Sequence, residues 1–219
     1  MHREAKSKLL HSSHLYGIVD TGYVPENALA STALEMCKAG VGILQLRAKQ
    51  STEAQILPLA ASLKKICADY QCLFVVNDFP TIAAEVQADA LHIGQDDGGI
   101  QAVKAITGSE MLIGRSTHAY TQAVQAYRDG FDYIGFGPLF PTPTKKGRPG
   151  IGTEQIKQVQ TEVGSHIPVF CIGGITLNNL EQVTSAGARR VVIVSDILQA
   201  EDRTTHIHEI VSRLDKVNQ

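Results

Sequence analysis

The stretch MLIGRSTHAYTQAVQAYRDGFDYIGFG, residues 111–137, decides the fold class. An apolar, β-prone run at 111–116 is followed by a helix-period segment from Thr121 to Arg128. Gly130 ends that segment, and a second apolar run occupies 132–137. A short strand, a helix and another short strand make one βα unit of a parallel sheet. Working outward, similar runs occur at 15–19 (LYGIV), 42–47 (GILQLR), 72–77 (CLFVVN) and 90–93 (ALHI) before it. Two more, at 167–172 (IPVFCI) and 190–194 (RVVIV), follow it, which makes eight. Helical segments fill the intervals: Pro25 to Lys38, Thr52 to Tyr70, Thr81 to Val86, Gly99 to Ile106, Thr153 to Val163, Thr176 to Ala186 and Arg203 to Val217. Eight alternating units in 219 residues fit a closed, single-domain (β/α)8 TIM barrel better than an open doubly wound sheet. The barrel, as catalytic domain, takes residues 15–219, and residues 1–14 read as a short N-terminal extension.

Composition narrows the function. A hydrophobic share of 43% with 19% charged residues suits a globular chain with a sizeable core. Twenty basic residues stand against 22 acidic ones, so no overall field favours nucleic acid or a membrane surface. The expected partners are small molecules, and an anionic one must be held by a local cluster. No apolar run is long enough to span a bilayer, and MHREAKSKLLHSSH lacks an apolar signal core. Cys37, Cys67, Cys72 and Cys171 form no C-x-x-C pair and sit in apolar stretches. They read as buried reduced thiols rather than a disulfide frame or a metal site, which suits the cytoplasm. The outer helices leave room for a homo-oligomer, whose state the sequence does not set.

In a barrel of this kind, function belongs at the C-terminal ends of the strands. The second strand ends in Gln45-Leu46-Arg47-Ala48-Lys49, where Gln45, Arg47 and Lys49 share a face. If that face points inward, two cations enter the mouth and call for an anion such as a diphosphate. A solvated strand end with surface charges accounts for them equally well. The third strand ends in Asn77-Asp78, and the fourth is followed by Gly94-Gln95-Asp96-Asp97. Carboxylates on adjacent strands beside phosphate-seeking cations suggest Mg²⁺, although aspartates there also cap helices. The fifth strand ends in Ser116-Thr117-His118, where His118 could move a proton or simply occupy a loop. The longest connection, residues 137–150, holds four prolines together with Thr142, Thr144, Lys145, Lys146 and Arg148, the make-up of a binding loop or lid. Gly173-Gly174 after the seventh strand and Ser195 after the eighth match the recurrent phosphate site of such barrels. Two anion sites in one mouth, one cationic and one glycine-rich, suggest a transferase that expels diphosphate.

The ordered set Gln45-Leu46-Arg47-Ala48-Lys49, Asn77-Asp78, His92-Ile93-Gly94-Gln95-Asp96-Asp97, Gly114-Arg115-Ser116-Thr117-His118, Gly137-Pro138-Leu139-Phe140-Pro141-Thr142-Pro143-Thr144-Lys145, Ile172-Gly173-Gly174-Ile175 and Val194-Ser195 resembles the thiamine-phosphate synthase family. The match runs from about Leu15 to Ile197. The resemblance implies condensation of 4-amino-5-hydroxymethyl-2-methylpyrimidine diphosphate with 4-methyl-5-(2-phosphoethyl)thiazole, in thiamine biosynthesis, by a dissociative, Mg²⁺-assisted route. It implies that Asp78 and Asp97 hold Mg²⁺, and that Arg47, Lys49, Asn77 and Lys145 bind the diphosphate. Gln45 and Ser116 would address the pyrimidine. Thr142, Thr144, Gly174, Val194 and Ser195 would receive the thiazole phosphate. Arg47, Lys49, Ser116 and Lys145 would be the catalytic residues. Two positions depart from the commoner family pattern: Ala48 stands where an acidic residue is frequent, and Asp96 where Glu is.

Two other readings compete. A thiazole tautomerase shares the barrel and uses a histidine where His118 lies, but tends to lose the metal aspartates and the Pro-Thr-x-Thr-Lys loop, both of which are intact here. A non-catalytic phosphate-ligand sensor is open to any barrel, but would have no need of a site for a leaving group.

Overall fold

The computed structural model describes residues 1–142 and 149–219. Eight parallel strands close into a barrel in sequence order. They are β1 (Leu15–Asp20), β2 (Ile43–Arg47), β3 (Leu73–Asn77), β4 (Ala90–Ile93), β5 (Leu112–Thr117), β6 (Tyr133–Phe136), β7 (Val169–Ile172) and β8 (Arg190–Ile193). Closure is made by β8 against β1, with Leu15 opposite Val191 and Gly17 opposite Ile193. Each of the eight runs read from the sequence holds one strand; 90–93 is β4 unchanged, and the others are trimmed or extended by one or two residues.

The outer layer consists of α2 (Glu26–Lys38), α3 (Glu53–Asp69), α4 (Pro80–Glu85), α5 (Ile100–Thr107), α6 (Tyr120–Asp129), α7 (Ile156–Glu162), α8 (Leu180–Ser185), α9 (Ser195–Leu198) and α10 (Arg203–Val217). Local chemistry explains several of their ends. Thr52 and Gln55 form a reciprocal capping box at the start of α3. Asp202 accepts the Thr205 backbone N–H at the start of α10. Gly130, left-handed at φ 87°, terminates α6.

Strand alternation separates two cores. Residues facing outward, among them Leu44, Leu46, Phe74, Val76, Ile134 and Phe136, pack under the helices in the larger apolar cluster. Residues facing inward, among them Tyr16, Ile43, Leu73, Leu112, Tyr133 and Phe170, fill the barrel. Along the same inward parity the chemistry changes toward the C-terminal ends. Ile43 gives way to Gln45 and Arg47, Val75 to Asn77, Ala90 to His92, and Leu112 to Ser116. The apolar floor and the polar mouth are therefore two ends of one set of strand faces.

The opposite end is closed by the first fourteen residues, which contain α1 (Arg3–Ser12). Leu10 enters the interior cluster with Ile43, Leu73 and Phe170. Arg3 pairs with Asp132 and donates to the carbonyls of Ser109 and Met111, while Lys6 donates to the Glu110 carbonyl. These contacts tie α1 to the segments that lead into β5 and β6.

Candidate active site

The C-terminal mouth opens into a cavity lined by Gln45, Arg47, Asn77, His92, Ser116 and His118 on one side. Thr142, Gly173, Gly174, Val194 and Ser195 line the other. Beside it lies a polar depression bounded by Arg47, Lys49, Asn77, Asp78, Asp96, Asp97, Ser116 and His118. The mouth thus gathers the candidate site residues of the sequence except Thr144, Lys145, Lys146 and Arg148, which lie outside the described residues.

On the cationic side, Lys49 Nζ stands 3.1 Å from Asp78 Oδ2. Asp78 adopts φ 66°, a left-handed conformation that Asp tolerates better than most residues. Asp97 Oδ2 accepts the Gly94 backbone N–H at 2.7 Å. The acidic loop 94–98 is tied down from β5. Arg115 donates to the carbonyls of Gln95 and Gly98, and the Gln95 amide donates to the Ser116 carbonyl. Arg115 lies 5.2 Å over the Phe131 ring, so this cation holds the loop rather than facing the cavity.

Asp78 and Asp97 offer hard carboxylate oxygens beside two cations. Mg²⁺ is usually bound by one or two carboxylates, with water and substrate phosphate completing its shell. The donor set fits that ion.

On the side of Gln45 and Ser116, Tyr16 donates its hydroxyl to Gln45 Oε1 at 2.8 Å. This bond fixes the orientation of the Gln45 amide group, which lines the cavity. Burial pushes the Tyr16 phenol well above its ordinary value, so it stays a donor. His92 Nε2 lies 3.0 Å from Ser116 Oγ, and its ring lies 5.5 Å from that of Tyr133. His118 is in the mouth, with Nδ1 against the Gly137 carbonyl and its backbone N–H on Gln122.

On the glycine side, Gly173 and Gly174 take φ values of 101° and 63°. A Cβ at Gly173 would lie 2.3 Å from Pro138 Cβ, and one at Gly174 would lie 2.8 Å from the Pro141 carbonyl oxygen. These glycines let the turn after β7 lie directly against the loop after β6, where Leu139 and Phe140 donate to the Ile172 and Gly173 carbonyls. Asn179 donates to the Gly174 carbonyl, and Asp196 accepts from the Leu177 N–H and from His206 Nε2. These bonds brace the two loops together.

Among proteins of known sequence, a family model described as thiamine monophosphate synthase matches residues 15–197. The chain belongs to the thiamine monophosphate synthase family. A thiamine-phosphate synthase of a Nostoc species is 36% identical over 212 residues, 97% of this chain and 59% of that protein. The thiamine-phosphate synthase of Dictyoglomus thermophilum is 36% identical over 203 residues, 92% of this chain and 90% of that one. The solved thiamine phosphate pyrophosphorylase from Pyrococcus furiosus superposes with a TM-score of 0.85 at 28% identity, over 98% of this chain and 99% of that one. The chain therefore spans about three fifths of one relative and nearly the whole of two others.

Against this family background, several site residues were given no role in the sequence reading. Asp20 ends β1, is 2% exposed, and receives Arg47 Nη1 at 2.5 Å while its other oxygen accepts the Gly22 N–H. It fixes the direction of the Arg47 fork. Tyr16 and His92 complete the polar lining. Their common signal is a polar side chain of inward parity in an otherwise apolar strand.

Asp20→Asn should lower turnover by about 10²-fold, the penalty of misplacing a substrate-positioning group by around an ångström. Steady-state kinetics would check this, beside a thermal unfolding curve unchanged from the parent. Full activity would show that Arg47 holds its position unaided.

Proposed function

We propose that this barrel condenses 4-amino-5-hydroxymethyl-2-methylpyrimidine diphosphate with 4-methyl-5-(2-phosphoethyl)thiazole, giving thiamine phosphate and diphosphate. The observation that carries the reading is the two-sided mouth. Arg47, Lys49, Asn77, Asp78 and Asp97 stand on one flank, while Gly174, Val194 and Ser195 stand on the other. A diphosphate leaving group suits the first flank and a monophosphate the second.

In this reading Arg47, Lys49, Asn77 and Lys145 bind the diphosphate and draw off the electron pair of the breaking carbon–oxygen bond. Gln45 and Ser116 hold the pyrimidine, whose amino group spreads the positive charge left on the ring. Thr142, Thr144, Gly174, Val194 and Ser195 anchor the thiazole phosphate so that the ring nitrogen faces the methylene carbon. The nitrogen lone pair then forms the new carbon–nitrogen bond. Mg²⁺, when held by Asp78 and Asp97, would neutralise charge on the departing diphosphate. No strong base is required, and the protein's task is positioning and charge stabilisation. The apolar floor beneath Gln45, built from Tyr16, Tyr133 and Phe170, keeps water from the cation.

The test is diphosphate release from the pyrimidine diphosphate, with and without the thiazole phosphate, in Mg²⁺ and then in excess EDTA. Release that requires metal and thiazole phosphate, with thiamine phosphate formed in step, is the expected result. Thiazole phosphate isomerisation without diphosphate release, abolished in His118→Ala, would transfer the protein to the tautomerase reading. Binding without any turnover would make it a sensor.

A further inference from the structure

Three cysteines that are scattered in sequence converge far from the mouth. Cys37 lies in the last turn of α2, Cys67 in the last turn of α3, and Cys72 immediately before β3. Their Sγ atoms all lie within 4.8 Å of one another. Cys37 and Cys67 are 4.0 Å apart. Among the described residues, no other trio of His, Cys, Asp or Glu brings ligand atoms this close. Cys171, the fourth cysteine, stands outside the group. The three are 6%, 0% and 1% exposed and belong to the apolar cluster beneath the helices. None of them lines the mouth.

The spacing matches a shared centre. Metal–sulfur bonds of about 2.3 Å place two coordinated sulfurs roughly 3.5–4 Å apart. Cys37 and Cys67 at 4.0 Å, and Cys72 within 4.8 Å of both, reach such spacings, down to the roughly 3.3 Å of a pyramidal centre, with shifts of about 1 Å. Thiols hydrogen-bond weakly, so little is lost when these three exchange hydrogen bonds for coordination. Soft sulfur donors select soft ions.

Charge then selects the ion. No fourth donor completes a tetrahedron among the described residues. The charged group that acts on Cys67 is Asp89, an anion, and Lys64 is already committed to it at 2.6 Å. Three thiolates around a monovalent ion would leave two negative charges in an apolar core, and a divalent ion would leave one. Both are resisted by desolvation. A trivalent ion leaves none.

We propose that Cys37, Cys67 and Cys72 form a binding site for a soft trivalent ion of the arsenic(III) and antimony(III) class, which closes as a neutral tris-thiolate. With arsenite the step is an exchange. Three S–H protons leave with the three oxygens of As(OH)3 as three waters, three As–S bonds form, and no oxidation state changes. Cys37, the most exposed of the trio and next to the end of α2, is the first to react. Hydrogen bonds from Cys67 and Cys72 favour its thiolate. The product ties α2, α3 and β3 together and stabilises the folded state by mass action.

The experiment adds arsenite to the reduced full chain and reads native mass spectra and thermal unfolding. The expected adduct is one arsenic per chain less three hydrogens, with a raised unfolding midpoint and one thiol still titratable after denaturation. Cys171→Ala keeps this adduct. Cys67→Ala and, as the milder variant at the more exposed position, Cys37→Ser both lose it. No adduct, an adduct short of only two hydrogens, an unchanged adduct in Cys37→Ser, or tighter retention of Cu(I) than of arsenic would each overturn the proposal.

Discussion

Asp78→Asn is expected to lower turnover by two to three orders of magnitude, the scale on which removal of one charge-stabilising group acts. It should also raise the Mg²⁺ concentration needed for half-maximal rate. Asparagine is the informative substitution because of the backbone. Asp78 sits at φ 66°, where Asn is tolerated and Ala is strained by roughly 1–2 kcal/mol. Asp78→Ala would mix loss of a ligand with backbone strain, whereas Asp78→Asn removes charge alone. The variant also frees Lys49, whose ammonium stands 3.1 Å from Asp78 Oδ2. Diphosphate binding without turnover should therefore persist or strengthen while the chemical step falls. The check is an Mg²⁺ titration of turnover beside a thermal unfolding curve. Wild-type rate with a wild-type Mg²⁺ requirement would remove Asp78 from the metal assignment.

The barrel was legible because strand and helix periods differ and because punctuation repeats. The run 111–137 contains both periods and a glycine stop, and six further strands repeat its pattern. The candidate site was legible wherever one strand carries its own signal. Gln45 and Arg47 share a face by alternation alone, and Asn77 closes an apolar run. What escaped notice depends on contacts between elements distant in sequence. Asp20 is 27 residues from the arginine it orients. Arg115, one of the cations near the mouth, is spent on carbonyls 17 and 20 residues away. Cys37, Cys67 and Cys72 read as unrelated buried thiols and meet only when α2 and α3 lie side by side. The glycines at 173 and 174 read from the sequence as a phosphate turn, and the demand the structure makes of them is steric, from Pro138 and Phe140. Strand parity is a property of one segment, while ion pairs and close approaches are properties of the closed barrel.

Leu10→Ala should destabilise the protein by about 2–5 kcal/mol, the range for truncating a buried leucine. The size follows from where α1 docks. Its sequence is mostly charged and polar, and Lys6 and Leu10, one turn apart, are its buried residues. Leu10 is 2% exposed and touches a cluster that includes Tyr16, Tyr133 and Phe170, which also form the floor of the substrate cavity. The neighbours are strand residues fixed by the closed hydrogen-bond ladder, so they cannot relax into the space left behind, and the upper part of the range applies. Lys8→Ala on the same helix removes only an exposed pair with Glu4 and should leave stability within about 0.5 kcal/mol. Urea unfolding of the two variants separates the roles of the helix. Equal midpoints would mean that α1 rests on the barrel without sealing it. A large loss confined to Leu10→Ala would make the first dozen residues part of the barrel's core, and would tie the packing of its closed end to the floor on which Gln45 is oriented by Tyr16.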